Sequence, residues 1–206
     1  MKAIGVLHYG IGNVGGLHNA FRRIGIASVP ISSKKDFLEI DKIVLPGVGK
    51  FDAAMEQLRS RDLITPLNNH VLKNQLPVLG ICLGMQLMGR GSGEGNLPGL
   101  NWLDFESSKL LPASGEHLKV PNMGWSKVEW TRPNEINLEE KENSRFYFAH
   151  SYAVPDVNSL FCVGKTHYGS QSFVSVIQHK NIFGAQFHPE KSHVYGIEFL
   201  ANFAKI

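Results

Sequence analysis

Two segments far apart in the chain carry residue types that could act together on a carbonyl group. The first is Gly80-Ile81-Cys82-Leu83-Gly84, a cysteine between glycines at the end of the apolar run Pro77 to Ile81. This G-x-C-x-G spacing is the thiol counterpart of the nucleophile elbow, in which flanking glycines permit a sharp strand-to-helix turn that pushes the central side chain out of the sheet. A thiol there is open to substrate and sits at the positive end of the following helix, which favours the thiolate. An ordinary cysteine with a pKa near 8.5 is only about 3% ionised at pH 7, so a base is still needed. The second segment, Gly184-Ala185-Gln186-Phe187-His188-Pro189-Glu190-Lys191-Ser192, can supply it. Pro189 biases His188 toward extended backbone, so His188 and Glu190, two residues apart, lean to the same side. One imidazole nitrogen would take the thiol proton while the carboxylate holds the other, a nucleophile, base and orienter in sequence. The plainer reading makes Cys82 a small apolar residue in a tight turn and His-x-Glu a solvated turn. The occurrence of both segments at strand ends favours the catalytic reading. Acyl transfer also needs donors for an oxyanion: the N–H of Leu83, next after the nucleophile, is one candidate. The strand-end turn Pro46-Gly47-Val48-Gly49 offers a second at Val48 or Gly49.

Elements must bring these segments together, and the pattern shows which. Ala3 to Leu7, Ala27 to Ile31, Lys42 to Leu45 and Pro77 to Ile81 read as strands. Between them lie helix-period stretches, Val14-Leu17-Phe21-Ile24 closed by Gly25, and one through Leu67 to Leu72. Strands alternating with helices imply an α/β fold with a doubly wound, mostly parallel central sheet and helices on both faces. In such sheets ligands bind beyond the carboxyl ends of the strands, where Cys82 falls. A helix over Leu83 to Arg90 should follow, and then a Gly-rich loop over Gly91 to Gly99. Beyond it come short segments that suggest additional antiparallel strands: Val128 to Trp130, Phe146 to Phe148, Leu160 to Val163, Phe173 to Ile177 and Ile182 to Gln186. A closing helix is expected from Val194 to Phe203. With 206 residues, 43% hydrophobic and 19% charged, and no linker or repeat, the chain reads as one domain over residues 1–206.

Other functions are disfavoured by composition. The 21 basic residues exceed the 18 acidic ones by only 3, scattered along the chain, so no basic stripe matches a nucleic-acid backbone. The longest apolar stretch, Leu76 to Leu83, is far short of the roughly 20 residues that span a bilayer, and the start of the chain lacks a signal peptide, which together imply a cytoplasmic protein. Cys82 and Cys162 cannot build a disulfide framework or a zinc site, and no metal or cofactor is expected. Cys162, between Phe161 and Val163, reads as a core thiol.

The chain resembles the class I, triad-type glutamine amidotransferases and, within them, the glutaminase-subunit family of imidazole glycerol phosphate synthase. The resemblance runs through Tyr9-Gly10-Ile11-Gly12-Asn13, the Pro46 to Gly49 turn, Gly80 to Gln86, Pro121-Asn122-Met123-Gly124-Trp125, Tyr147 to Tyr152 and His188 to Ser192, essentially the whole chain. The elbow and His-Pro-Glu alone would fit many glutaminases; Met85, Met-Gly-Trp and Lys191-Ser192 narrow the match. It implies a flavodoxin-like glutaminase domain with Cys82 as nucleophile, His188 as base and then acid, and Glu190 as orienting carboxylate. L-glutamine would be held by Gly47, Gln86 and Glu94, with Ser151 and Tyr152 lining the pocket. A carboxylate such as Glu94 also suits the ammonium of a zwitterionic substrate. Ammonia would pass through a tunnel to a cyclase subunit with a (β/α)8 barrel, a heterodimer partner that makes imidazole glycerol phosphate and AICAR in histidine biosynthesis. Asn13, Met123, Trp125 and Lys191 match positions at that docking face, although Trp125 read alone is as well a core aromatic. No segment reads as a synthase domain, so a separate ammonia acceptor is expected. The chain departs from the family pattern at His8, Asn122 and Gly93. Two alternatives stand beside the histidine-pathway reading: the same chemistry serving a barrel-like partner of a surface-sugar amidotransferase, and an idle α/β module that only binds a partner.

Overall fold

The computed structural model describes residues 2–136, 144–156 and 160–206. The N-terminal half runs β1 (Ala3–Leu7), α1 (Val14–Arg23), β2 (Ser28–Ile31), β3 (Ile40–Leu45), α2 (Phe51–Ser60), α3 (Ile64–Asn68), β4 (Val78–Ile81) and α4 (Leu83–Leu87). Then follow β5 (Gly91–Ser92), β6 (Glu106–Lys109), β7 (Asn122–Ser126), β8 (Glu129–Trp130), β9 (Phe146–His150), β10 (Tyr152–Pro155), β11 (Cys162–Tyr168), β12 (Gln171–His179), β13 (Ile182–Ala185) and α5 (His193–Lys205).

Strands β2, β1, β3, β4 and β13 lie side by side in that order, all parallel. The order of the first four is the flavodoxin-like arrangement. Every residue of β4 and β13 is buried, as strands covered on both faces require. Their side chains divide between two cores. Val6, Val44 and Leu79 pack with Leu17 and Phe21 of α1 and Phe199 and Phe203 of α5. Leu7, Ile43 and Val78 pack on the opposite side with Met55 and Leu58 of α2 and Leu67 of α3. Helices therefore cover both faces, as the alternating pattern implied. From β13 the sheet continues antiparallel through β12, β10 and β6, with β11 also on β12, while β7 and β9 form a separate antiparallel pair. That pair is tied to the segment just beyond β13, where His188 donates its N–H to Tyr147 O at 2.9 Å.

Several elements differ from expectation. Helix α2 is legible afterwards in Phe51, Ala54, Met55 and Leu58, all buried at helical spacing. The expected Leu67 to Leu72 helix is α3 followed by a π-helical turn, Asn69–Lys73. Helix α4 ends at Leu87, and Gly89 lies too tightly against Phe105 for a side chain. Strand β11 begins at Cys162 rather than Leu160, which is 85% exposed, and runs on to Tyr168. Cys162 itself is half-buried against the core margin rather than within the core. Strand β6, Glu-Ser-Ser-Lys, is polar because only Ser107 faces inward. Among the described residues no helix is long and apolar enough to cross a membrane.

Candidate functional site

The elbow is built by backbone contact. Cys82 takes the strained conformation itself, with φ 53° and ψ −110°. Its N–H donates to Ala185 O at 2.7 Å, and its carbonyl accepts from Met85 and Gln86 N–H at 3.1 and 3.3 Å, so both sides of the turn are held. The flanking glycines serve closeness rather than an unusual backbone. A Cβ on Gly84 would lie 1.8 Å from Leu45 O, and one on Gly80 would lie 2.7 Å from the Met85 backbone. Helix α4 thus rests directly on the ends of β3 and β4. Its five residues give little macrodipole, contrary to the sequence expectation; what it offers is the N–H of Leu83, which a first helical residue leaves without an internal acceptor. Opposite lies the Pro46 to Gly49 turn, fixed at its start by Tyr9, whose buried hydroxyl donates to Pro46 O at 2.7 Å. Gly49 adopts φ +97°, which a non-glycine residue rarely takes.

His188 is nearly fully buried, with Nδ1–H donating to Glu190 Oε1 at 3.1 Å, which leaves Nε2 for the Cys82 thiol. Extended alternation does not bring these groups together: Pro189–Lys191 is a 3-10 turn, and the turn folds Glu190 back onto the ring. Ser192 secures it by donating to His188 O at 2.6 Å and accepting from Tyr147 N–H at 2.9 Å. Burial works against the imidazolium, but hydrogen bonds to Cys82 and Glu190 and the charge of both outweigh it, so His188 is raised to about 9. Burial likewise opposes ionised Glu190, yet His188 and then the Asn13 amide hold its carboxyl below the ordinary value. Asn13 reaches Glu190 Oε1 with Nδ2 at 3.2 Å while its Oδ1 caps α1 at Gly16 N–H, also at 3.2 Å. Expected at or near a docking face, this residue also touches the triad.

A cavity of about 200 Å³ opens on Cys82 and Leu83. Val48 and Gly49 close one side, Ser151 and Tyr152 another, and Gln86 and Glu94 reach into it, so most of the expected substrate residues converge. Gly47 does not line it. A Cβ there would sit 2.6 Å from Gly84 N, so its role is packing against α4. Glu94 Oε2 accepts the N–H of Phe51 at 3.0 Å, and Asp52 accepts from Asn96 and Leu97, so the Gly-rich loop is strapped to the start of α2. A carboxylate has about four acceptor sites, so Glu94 retains capacity for a ligand ammonium. His150, given no role from sequence, also lines the cavity. Its Nδ1–H donates to Tyr152 O at 2.9 Å and its Nε2 faces Asn122 Nδ2 at 3.4 Å, which makes it neutral; burial and the nearby His188 charge, against the Tyr152 hydrogen bond, lower it to about 4.

Beside the cavity, alternate residues of β7 face outward: Met123 is 65% exposed and Trp125 41%. Trp125 stacks on His193 at 5.0 Å and meets Tyr147 edge-on, while Lys191 Nζ lies 5.9 Å above the Tyr147 ring. An aromatic and cationic face of this kind is what a docking surface would use. Of the departures from the family pattern, Asn122 is buried on His150, and His8 lines a separate cleft beside α1 with His18 and Arg22.

A strained cysteine on a doubly wound sheet, paired with a buried histidine and glutamate across a polar cavity, defines a class of thiol-dependent amide-cleaving enzymes. The chain belongs to the class-I glutamine amidotransferase family, whose model matches residues 6–206. It is 40% identical over 205 residues to the imidazole glycerol phosphate synthase subunit HisH 2 of Pseudomonas aeruginosa, covering 98% of each chain. To the protein of the same name from Methanococcus maripaludis it is 39% identical over 202 residues, again covering 98% of each. Among solved structures, PurLQS from Thermotoga maritima superposes with a TM-score of 0.72 at 17% identity, covering 100% of this chain and 99% of that one, a likeness of fold.

Proposed function

We propose that this chain is the glutaminase subunit of an imidazole glycerol phosphate synthase. The observation that carries the reading is the convergence of Cys82, His188 and Glu190 on one cavity that also holds Gln86 and Glu94. Cys82 gives its proton to His188 Nε2, and the sulfur attacks the side-chain carbonyl carbon of glutamine. The N–H of Leu83 and one from Val48 or Gly49 receive the oxyanion. As the C–N bond breaks, His188 returns the proton to the departing nitrogen, leaving ammonia and a glutamyl thioester. Water, deprotonated by the same histidine, then releases glutamate. Glu94 accepts from the substrate ammonium, and Ser151 and Tyr152 close the pocket. Met123, Trp125 and Lys191 dock a cyclase subunit with a (β/α)8 barrel, into which ammonia passes before water can protonate it.

The test is glutamine hydrolysis by the full chain, alone and with the cyclase subunit, followed by synthesis from each acceptor. The expected result is negligible hydrolysis alone, stimulation of at least about a hundredfold on docking, and rescue of a histidine auxotroph lacking this subunit. Full activity in the isolated chain would overturn the coupled-subunit reading. Failure to rescue, with activity restored by a sugar amidotransferase partner, would redirect the ammonia to surface-sugar synthesis.

A further inference from the structure

Gln186 lies between β13 and His188, with its backbone N–H on Ser175 O at 2.8 Å and its side chain fully buried. A buried amide needs partners for both ends, and the direction in which this one points follows from its neighbours. Tyr152 O is a carbonyl and can only accept. Gln86 therefore presents Nε2 to it, at 2.8 Å, and the same NH2 group donates to Gln186 Oε1 at 3.1 Å. With its oxygen taken, Gln186 turns Nε2 toward the Cys82 sulfur, 3.6 Å away. A backbone group near the sulfur, Ala149 O at 4.0 Å, is an acceptor and favours the protonated thiol. The amide favours the opposite form.

We propose that Gln186 is a catalytic residue, whose side-chain N–H holds the Cys82 sulfur as the thiolate that attacks substrate. When the thiol proton moves to His188 Nε2, the sulfur becomes negative and the N–H···S contact becomes charge-assisted, so it is stronger after the transfer than before. The donor is already oriented by Gln86 and Tyr152 and needs no reorganisation at that moment. Gln86 itself lines the cavity, so the relay joins the proposed glutamine site to the nucleophile. The titratable groups facing this space are His188 with Glu190 behind it, His150 from β9, Tyr152 from β10, and Glu94 from the Gly-rich loop.

The inference rests on Cys82 as nucleophile, but its test requires neither glutamine nor a partner. Iodoacetamide alkylation of Cys82 in the full chain would be followed from pH 5 to 10 by mass spectrometry of the Cys82 peptide. Gln186→Leu removes the donor, and Gln186→Glu keeps shape and the acceptor for Gln86 while replacing the donor with a negative charge. The pH midpoint of alkylation should rise by about one unit in Gln186→Leu, slowing the reaction about tenfold at pH 7, and by more in Gln186→Glu. Activity with the docked partner should lose kcat with a smaller change in KM for glutamine. Should Gln186→Leu fail to fold, Gln186→Met, of similar length and with no N–H donor or charge, takes its place and should show the same rise. In the parent, NMR signals of the Gln186 side-chain amide should titrate with the alkylation midpoint. Midpoints that overlay the parent in the folded variants, or a flat amide signal, would overturn the proposal while leaving the glutaminase reading intact. A chain inactive on glutamine whose midpoint still responds to Gln186 would fail the other way.

Discussion

The two cysteines of this chain sit in opposite surroundings, and the difference shows what turns a thiol into a nucleophile. Cys82 lies at a strained turn, with an amide donor at 3.6 Å and an imidazole on its sulfur. Cys162 starts β11, its thiol directed at Gly164 O at 3.7 Å, and burial, then the negative charge of Asp156, push it up. Acceptors and anions favour the protonated thiol; donors and cations favour the thiolate. Residue type is shared, and Cys82 is the more deeply buried of the two, so burial alone does not make the difference and partners decide. The largest effect that could break this contrast is loss of the sulfur. Cys82→Ala should lower partner-stimulated glutamine hydrolysis by about a thousandfold or more, and Cys162→Ala should leave it within about twofold, both measured as ammonia release. Equal losses would mean that the second region takes part in the chemistry.

Glycines beside each cysteine extend the comparison to packing. A Cβ on Gly84 would meet the Leu45 carbonyl at 1.8 Å, a backbone atom held in the β3 to β4 ladder. A Cβ on Gly164 would meet a methyl of Val128 at 2.7 Å, and a side chain can shift where a ladder cannot. Gly84→Ala should therefore cost about 3 kcal/mol of folding stability and most of the activity, and Gly164→Ala about 1 kcal/mol with activity kept. Denaturant melts with parallel assays check both. A Gly84→Ala chain as stable and active as the parent would show that α4 is free to move.

This contrast also marks what the sequence makes legible. The elbow, the strand that feeds it and the His-Pro-Glu segment are local signals, because their chemistry depends on neighbours in the chain. The reasons behind them were less legible. The glycines of the elbow read as conformational devices, yet their necessity comes from Leu45 and Met85 pressing on them. The contact of Asn13 with the triad was not legible, because nothing local links it to Glu190, 177 positions away. Gln186 stood inside the quoted motif without a role, since its partners Gln86 and Cys82 lie about a hundred residues upstream and only the β13 to β4 pairing brings them near. Helix α2 is a different omission, for its buried Phe51, Ala54, Met55 and Leu58 carried a usable period.

The smallest expected effect separates two histidines within the Cys82 region, and it has no counterpart around Cys162. His188 is raised to about 9, so it adds stability that is fully present below the unfolded value near 6.5 and is lost as pH rises through 9. His150 is lowered to about 4 by burial, so the unfolded chain takes up its proton first and stability falls as pH drops from about 6.5 toward 4. The melting temperature should therefore peak near pH 6.5 and decline on both sides. Glu190→Gln removes the carboxylate that helps raise His188, so it should flatten the alkaline limb. On the acid side it removes only Glu190's own contribution, which is lost near and below its ordinary value, and leaves that of His150 in place. His150→Asn should make the acid limb shallower and leave the alkaline limb in place, since an amide keeps a donor for Tyr152 O without a group that titrates. His18 and His70, also lowered by burial, keep the rest of that limb. Melting curves of the three proteins between pH 4.5 and 9.5 read both limbs at once. An alkaline limb unaffected by Glu190→Gln would mean that the Glu190 carboxylate does not stabilise the His188 imidazolium, and its place as the orienting member of the triad would fall.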